Sequence, residues 1–260
     1  MECRLQIAVG QKNGRSYARD IFAGKPFRAM PVGQYASDKA LHLMLMSVSP
    51  GILDGDHYDV RVEVDEGARL QLHSQSYQRL YTMNTRATQD MTIRLGAGSD
   101  FAYVPYPIVP HRQSTFISKT RVELHPGARF VLGEIITCGR KLSGEVFEYT
   151  RFQNIVEVVN ADGDLLLKDN VVLQPDSMPL SGIGLLEGFT HQGTLICLGL
   201  DQPEELMERL HDYLANEKGL EAGLSATRYP GIVVRVLGTG GEQLFRCFEY
   251  IRDLIWEQAA

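Results

Sequence analysis

Val62–Glu63–Val64–Asp65–Glu66–Gly67–Ala68–Arg69–Leu70–Gln71–Leu72 is an alternating run, a turn built on glycine, and a second alternating run. The pattern returns at Ile93–Arg94–Leu95–Gly96–Ala97–Gly98–Ser99–Asp100–Phe101–Ala102–Tyr103 and at Val122–Glu123–Leu124–His125–Pro126–Gly127–Ala128–Arg129–Phe130–Val131–Leu132. The turn glycines Gly67, Gly98 and Gly127 recur roughly every thirty residues, a spacing that signals stacked repeat units. Apolar residues fall on one face at period two, so no unit can bury that face alone. Stacking buries it against the neighbouring units. A fourth copy is expected at Val156–Leu167, with its turn at Asn160–Ala161–Asp162–Gly163.

Outward from the repeats, Glu2–Val9 alternates and reads as a strand, with a partner around Tyr17–Phe22 beyond the turn at Gln11–Lys12–Asn13–Gly14. The prolines of Pro26–Phe27–Arg28–Ala29–Met30–Pro31 predict extended chain. Leu41–Val48 is strongly apolar and is expected to be a buried strand. The tail changes character. Asp201 with Glu204 has the spacing of a capping box, followed by a helical face of Leu206, Leu210, Tyr213 and Leu214 and a stop at Gly219. Ile232–Val236 reads as a strand. Thr239 with Glu242 then opens a second helix striped by Leu244, Phe248, Ile251 and Ile255. The expected architecture is mainly β: a β-helix-like stack of short strands with two α-helices near the C-terminus. No long polar linker divides residues 1–260, so one domain is expected, with the β frame over about 1–200 and a helix–strand–helix portion over about 201–260.

The chain has 260 residues, 44% hydrophobic and 22% charged, which is ordinary for a globular protein. A net charge of −6 argues against a general nucleic-acid binder, and no basic run suggests a membrane anchor. The opening Met1–Glu2–Cys3–Arg4–Leu5 lacks the apolar stretch of a secretory signal, and no apolar run reaches membrane-spanning length. A cytoplasmic chain is expected. Cys3, Cys138, Cys197 and Cys247 are far apart and form no Cys-x-x-Cys pair, so buried thiols are expected rather than a structural zinc site.

Three segments could carry chemistry. Asp54, Asp56, His57 and Asp59 crowd one turn, offering oxygen and imidazole donors to a divalent ion; the plainer reading is an Asp-Gly turn entering a strand. Glu134 interrupts the apolar run Phe130–Ile136, and a carboxylate on a buried face needs a partner, for which Arg140 is the candidate. The plainer reading is an Arg–Glu pair closing a hairpin, and the sharper one is the lining of a polar channel. Ser74–Gln75–Ser76–Tyr77–Gln78–Arg79–Leu80–Tyr81 is polar and aromatic and suits either a contact surface or a loop. Gly238–Thr239–Gly240–Gly241 has neither nucleotide-binding spacing and reads as a turn. His111 and His191 lack a nucleophile elbow to serve.

In order and spacing these segments resemble the urease accessory protein D family (UreD, also called UreH). The resemblance runs through Pro26–Phe27 with Pro31, Ser49–Pro50–Gly51–Ile52–Leu53–Asp54–Gly55–Asp56, and Ser74–Gln75 with Arg79 and Tyr81. It continues through Val104–Pro105–Tyr106–Pro107–Ile108–Val109–Pro110, Glu134 with Gly139–Arg140 and Gly144–Glu145–Val146–Phe147, Leu165–Pro175, and Val233–Leu237 with the last helix. Where the family commonly has Gly-Gly before its first acid, this chain has Asp54–Gly55, and its Thr-Thr-Gln is His73–Ser74–Gln75 here. The resemblance implies a scaffold rather than an enzyme. Such a scaffold binds urease accessory protein F, which recruits the GTPase accessory protein G, and the complex docks on urease apoprotein as a dimeric assembly. It further implies a nickel ion in transit, with no tightly bound cofactor, along a route lined by Asp56, Glu134 and Asp169. Two other readings compete: a docking scaffold that touches no metal, and a β-solenoid hydrolase using Asp54 and Asp56 as paired acids.

Overall fold

The computed structural model describes residues 1–33 and 39–257. The first strands are β1 (Glu2–Lys12), β2 (Arg15–Ala23), β3 (Phe27–Pro31), β4 (Leu41–Ser47), β5 (His57–Val64), β6 (Arg69–Ser74) and β7 (Gln78–Leu80). Next come β8 (Ala87–Leu95), β9 (Asp100–Tyr103), β10 (Ile108–Pro110), β11 (Thr115–Leu124), β12 (Arg129–Thr137), β13 (Arg151–Asn160), β14 (Leu165–Leu173) and β15 (His191–Leu198). Helix α1 (Pro203–Asn216), β16 (Glu221–Ala226), β17 (Gly231–Gly238) and α2 (Gly241–Glu257) complete the chain.

Among the described residues the strands form two sheets. The first runs β14-β13-β11-β8-β5-β1-β2, and the second runs β16-β17-β15-β12-β9-β6-β4-β3 with β10 and β7 branching from it. The repeats explain this layout. In each unit the first strand lies in one sheet and the second in the other: β5 and β6, β8 and β9, β11 and β12. The turn between them is an arch across the sandwich, and successive units pair in parallel within each sheet. The arches also bond to one another. Gly67 N–H donates to Ala97 O at 2.9 Å, and Gly98 N–H donates to Pro126 O at 3.0 Å. These glycines and Gly127 have φ of +65°, +62° and +71°, a left-handed backbone that a Cβ disfavours.

The fourth copy is real as a pair of strands but differs in kind. β13 and β14 pair antiparallel within one sheet, so the chain turns back in the plane instead of crossing. The Asn160 side chain accounts for this tight reversal: its oxygen accepts the N–H groups of Asp162 and Asp164 and its amide donates to the Asp164 carboxylate.

Leu5, Ile7, Val62, Leu70, Leu72, Ile93, Phe101, Val122 and Phe130 fill the space between the sheets. Directly after each arch, Arg69, Asp100 and Arg129 occupy one register row on the other face. Asp100, 7% exposed, receives both Arg129 nitrogens at 2.6 and 2.8 Å and pairs with Arg69 at 2.9 Å. Arg69 also stacks 4.8 Å from the Trp256 ring of α2. On that outer face a second core forms against both helices, taking Leu206, Leu210 and Leu214 from α1 and Leu244, Phe248, Ile251 and Ile255 from α2. The four cysteines are free and buried. No helix of the described residues is long and apolar enough to cross a membrane.

Several local expectations change. The Asp201–Glu204 capping box does not form: α1 starts at Pro203, Gln202 precedes it, and no side chain caps the turn. Proline at the first helical position needs no N–H partner and presets φ, so the start moves past Asp201. The helix stops at Asn216, and Gly219 instead serves the following turn with φ +77°. β4 is only half buried: Leu41 and Leu43 face the core while His42 and Met44 do not.

Asp100→Ala should destabilise the chain by about 3 kcal/mol, because it strands two largely buried guanidinium groups. Chemical denaturation monitored by circular dichroism measures this; a loss within the ordinary surface range would show that the ladder is ornamental.

Candidate cation-binding cavity

The inward positions of the strands are not uniformly apolar. Along β11 they run Phe116, Ser118, Thr120, Val122; along β13, Phe152, Asn154, Val156; along β8, Ala87, Gln89, Met91; along β12, Leu132, Glu134, Ile136. The apolar members at one end belong to the core between the arches, and those at the other to a separate cluster around Tyr58, Leu80, Tyr149 and Phe152. The polar members lie between. Parallel pairing places Tyr58, Gln89, Ser118 and Asn154 in one row across the first sheet. Gln89 donates to Ser118 Oγ at 3.2 Å.

This polar belt opens into a cavity of about 180 Å³ walled by both sheets. Glu134 is the one carboxylate on its wall among the described residues. Of the segment Ser74–Tyr81, read from sequence as a surface or a loop, Ser74 through Arg79 form part of the wall, and Gln78–Leu80 is β7. Tyr77 stacks on Tyr106, which stacks on Phe245 of α2 at 4.1 Å. The groove behind Glu134 is made by Gly133 and Gly193, where Phe248 of α2 seats; a Cβ at Gly193 would come within 2.7 Å of its ring.

Glu134 keeps some accessible surface because it faces the cavity, yet it lies deep in the protein. Burial, with the charge of Asp169 adding to it, pushes its pKa up to about 8 from the ordinary 4.5, while a hydrogen bond from Asn154 partly opposes the shift. Asn154, not Arg140, is thus its hydrogen-bonding partner. Arg140 instead pairs with Glu145 through two hydrogen bonds and closes the loop after β12. That loop's Gly139 (φ +120°) would place a Cβ 3.0 Å from two carbonyl oxygens, so the turn and the ion pair belong together.

Asp169 on β14 stands directly opposite Val156 and shares its electrostatic neighbourhood with Glu134. Its carboxylate pairs with Arg235 of β17, whose guanidinium also donates to Thr194 Oγ1 at 3.2 Å. Asp56 is placed otherwise. It is 5% exposed, accepts Leu53 N–H at 2.9 Å and pairs with the Met1 ammonium at 3.1 Å. Its charge reaches the cavity wall through Tyr58, where it adds to the burial that raises the phenol's pKa. Asp169 therefore acts on Glu134 through its charge but does not line the cavity wall, and Asp56 is held in a separate set of contacts.

The remaining donors of that turn are engaged locally. Asp54 accepts the N–H groups of Asn84 and Thr85 and the Thr85 hydroxyl at 2.6 Å. His57 Nδ1 lies 2.9 Å from Thr88 Oγ1, and Asp59 pairs with Arg61 and Arg4. Among the described residues no group of three or more His, Cys, Asp or Glu is arranged to hold a metal ion. The cavity wall carries one carboxylate, neutral oxygens and Arg79; its oxygens are donors of the kind that hold a hard or borderline divalent cation loosely. Neither His111 nor His191 has the setting of a catalytic base. His111 is buried against the Tyr81 ring, and burial, helped by Lys141, lowers the His191 pKa to about 4.

Asn154, Thr194, Arg235 and the Gln89–Ser118 pair were missed from sequence. Parity is the signal that could have found them: Ser118 and Thr120 share it with Phe116 and Val122. So does Asn154 with Phe152 and Val156.

The chain belongs to the UreD family of urease accessory proteins, whose family model matches residues 1–260. It is 46% identical over 255 residues to the urease accessory protein UreD of Flavobacterium johnsoniae, a match covering 97% of this chain and 92% of that one. It is 33% identical over 256 residues to the UreD of Acetivibrio thermocellus, covering 98% and 97%. With the UreD of Haemophilus influenzae it shares 31% identity over 268 residues, covering 98% and 99%.

A carboxyl whose pKa is raised by folding stabilises the folded chain below its unfolded pKa, and that contribution is lost as pH rises toward the folded value. For Glu134 the window runs from 4.5 to about 8. Glu134→Gln should therefore gain melting temperature relative to the parent chain across this window and hold a constant lead above it. Parallel melts from pH 4.5 to 8.5 check this, and a difference flat with pH would contradict the assignment.

Proposed function

We propose that this chain is a urease maturation scaffold that passes nickel toward the urease active site and transforms no substrate itself. It works in the cytoplasm, joining accessory protein F and the GTPase accessory protein G to urease apoprotein. Membership of the UreD family supports the maturation role. The observation that carries the conduit is Glu134, a carboxyl held in a polar belt between two apolar layers, where folding alone would favour another apolar residue. Nickel is cargo here. It meets oxygen donors that bind it more weakly than imidazole would, so the ion can leave again. The docking role draws support from Leu142 and Ile183, which stand almost fully exposed at 105% and 98% on loops rooted in the cluster that holds Phe147, Leu180 and Leu186.

Two outcomes are expected. Glu134→Ala should lower urease activation several-fold in cells carrying the full accessory set, while co-purification with the partners survives; loss of the complex would make this residue structural. Nickel binding to the full chain should release one proton per ion, because the Glu134 carboxyl must ionise to bind. Its affinity should then climb with pH up to about 8 and level off above it. Calorimetry in buffers of different ionisation enthalpy counts that proton.

A further inference from the structure

The outer face of the second sheet carries soft donors where β3, β4 and β6 meet. His42 and Met44 have the outward parity of β4, His73 that of β6 and Met30 that of β3. Pairing sets Met30 opposite Met44 and Met44 opposite His73, one row across three strands. Neighbouring strands lie about 4.8 Å apart, so the row sets thioether and imidazole side by side. His42 reaches His73 diagonally, with its Nδ1 3.2 Å from His73 Nε2. The ring centroids are 5.4 Å apart, nearly that gap plus the two ring radii, and the planes are 18° from parallel. The rings therefore meet edge to edge, with the two nitrogens facing each other. Burial, then the charges of Arg252 and His42, lower the His73 pKa to about 4 against the opposing charge of Asp253, so this ring is neutral and keeps a lone pair.

We propose that His42 and His73, with Met44 as third ligand, bind a soft monovalent cation, copper(I), on the outer face of the sheet. Imidazole and thioether together are a copper(I) donor set. Two nitrogens that face each other suit an ion favouring two or three ligands in a near-linear or trigonal arrangement. None of the three donors brings a negative charge, and the Arg252 guanidinium is close enough to act on His73, so one positive charge is better tolerated here than two. Loading exchanges a shared proton for the metal. The proton of the present hydrogen bond passes to the donor ring's other nitrogen or to water, and the rings part to admit the ion. The site lies outside the cavity and shares no residue with the nickel route, so it goes beyond the conduit reading and does not depend on it.

Trp256 is the only tryptophan of the chain, and its ring stands 6.4 Å from that of His42, so its fluorescence reports on the site. Copper(I) stabilised by acetonitrile and titrated without oxygen into the full chain should quench that fluorescence and saturate at one ion. His42→Gln and His73→Gln should each weaken binding at least about tenfold, no less than the loss of an outer-shell partner costs at other metal sites. Met44→Leu should weaken it less. X-ray absorption of the copper-loaded parent chain needs no variant and should show two nitrogen neighbours and a sulfur. The four cysteines are buried, so coordination by sulfur alone would mean that copper has opened the fold to reach them, and it overturns the proposal. So does parent-like affinity in either histidine variant that folds, or saturation by nickel(II) and not by copper(I). Glu134→Gln should bind copper(I) as the parent does; loss of binding there would move the ion into the cavity and overturn the outer site. Failure of the nickel route leaves these outcomes unchanged.

Discussion

The amide of Gly67 bonds to Ala97 and the amide of Gly98 to Pro126, so each arch is built on the next. This coupling constrains the rest of the chain. An arch that crosses between sheets leaves its backbone groups without in-plane partners at the turn, and the next arch supplies them. The left-handed glycines allow the crossing, and the buried Arg69–Asp100–Arg129 row holds the second strands in register just beyond it. Once the turns are aligned, the strands that leave them must pair in parallel with no offset.

Zero offset has a chemical consequence. In a parallel stack, a given inward position recurs at the same height in every strand, so one polar residue per strand builds a continuous layer. Gln89, Ser118 and Asn154 are such a set, facing Glu134 across the sandwich. Buried polar groups cost free energy unless paired. Here they pair with each other, as Gln89 with Ser118 and Asn154 with Glu134, and the apolar layers on either side keep the sheets together. The polar layer is thus compatible with a stable frame without contributing much to it.

Most of the frame was legible in the sequence because strict alternation and regularly spaced glycines have few other interpretations. The apolar stripes of both helices were equally plain. The failures have physical causes. β15 is buried along nearly its whole length, so it shows no alternation, and β16 is an exposed edge without β-branched residues. The β13–β14 hairpin looked like a fourth arch because its turn also carries a glycine; the Asn160 side chain, not the glycine, decides the direction of the reversal. Glu134 was legible as an anomaly in an apolar run, but its surroundings were not. Arg140 is near in sequence yet bonds to Glu145, while Asn154 and Asp169 come from strands of the opposite sheet. Asp56 was legible as a conspicuous acid, although its contacts with Leu53 and the Met1 ammonium depend on how the turn folds back.

The placement of α2 connects the frame to the cavity. Phe248 needs the bare backbone of Gly133 and Gly193, the neighbours of Glu134 and Thr194 in sequence, so helix packing on the outer face and polar chemistry on the inner face are fixed by the same two strands. Tyr77 and Tyr106 carry the connection from Phe245 to the cavity wall. The Phe248 ring and the Glu134–Thr194 pairing thus share β12 and β15, and any side chain added at Gly133 or Gly193 meets that ring, so the strands that carry the inner polar residues are restricted by the helix on their other face.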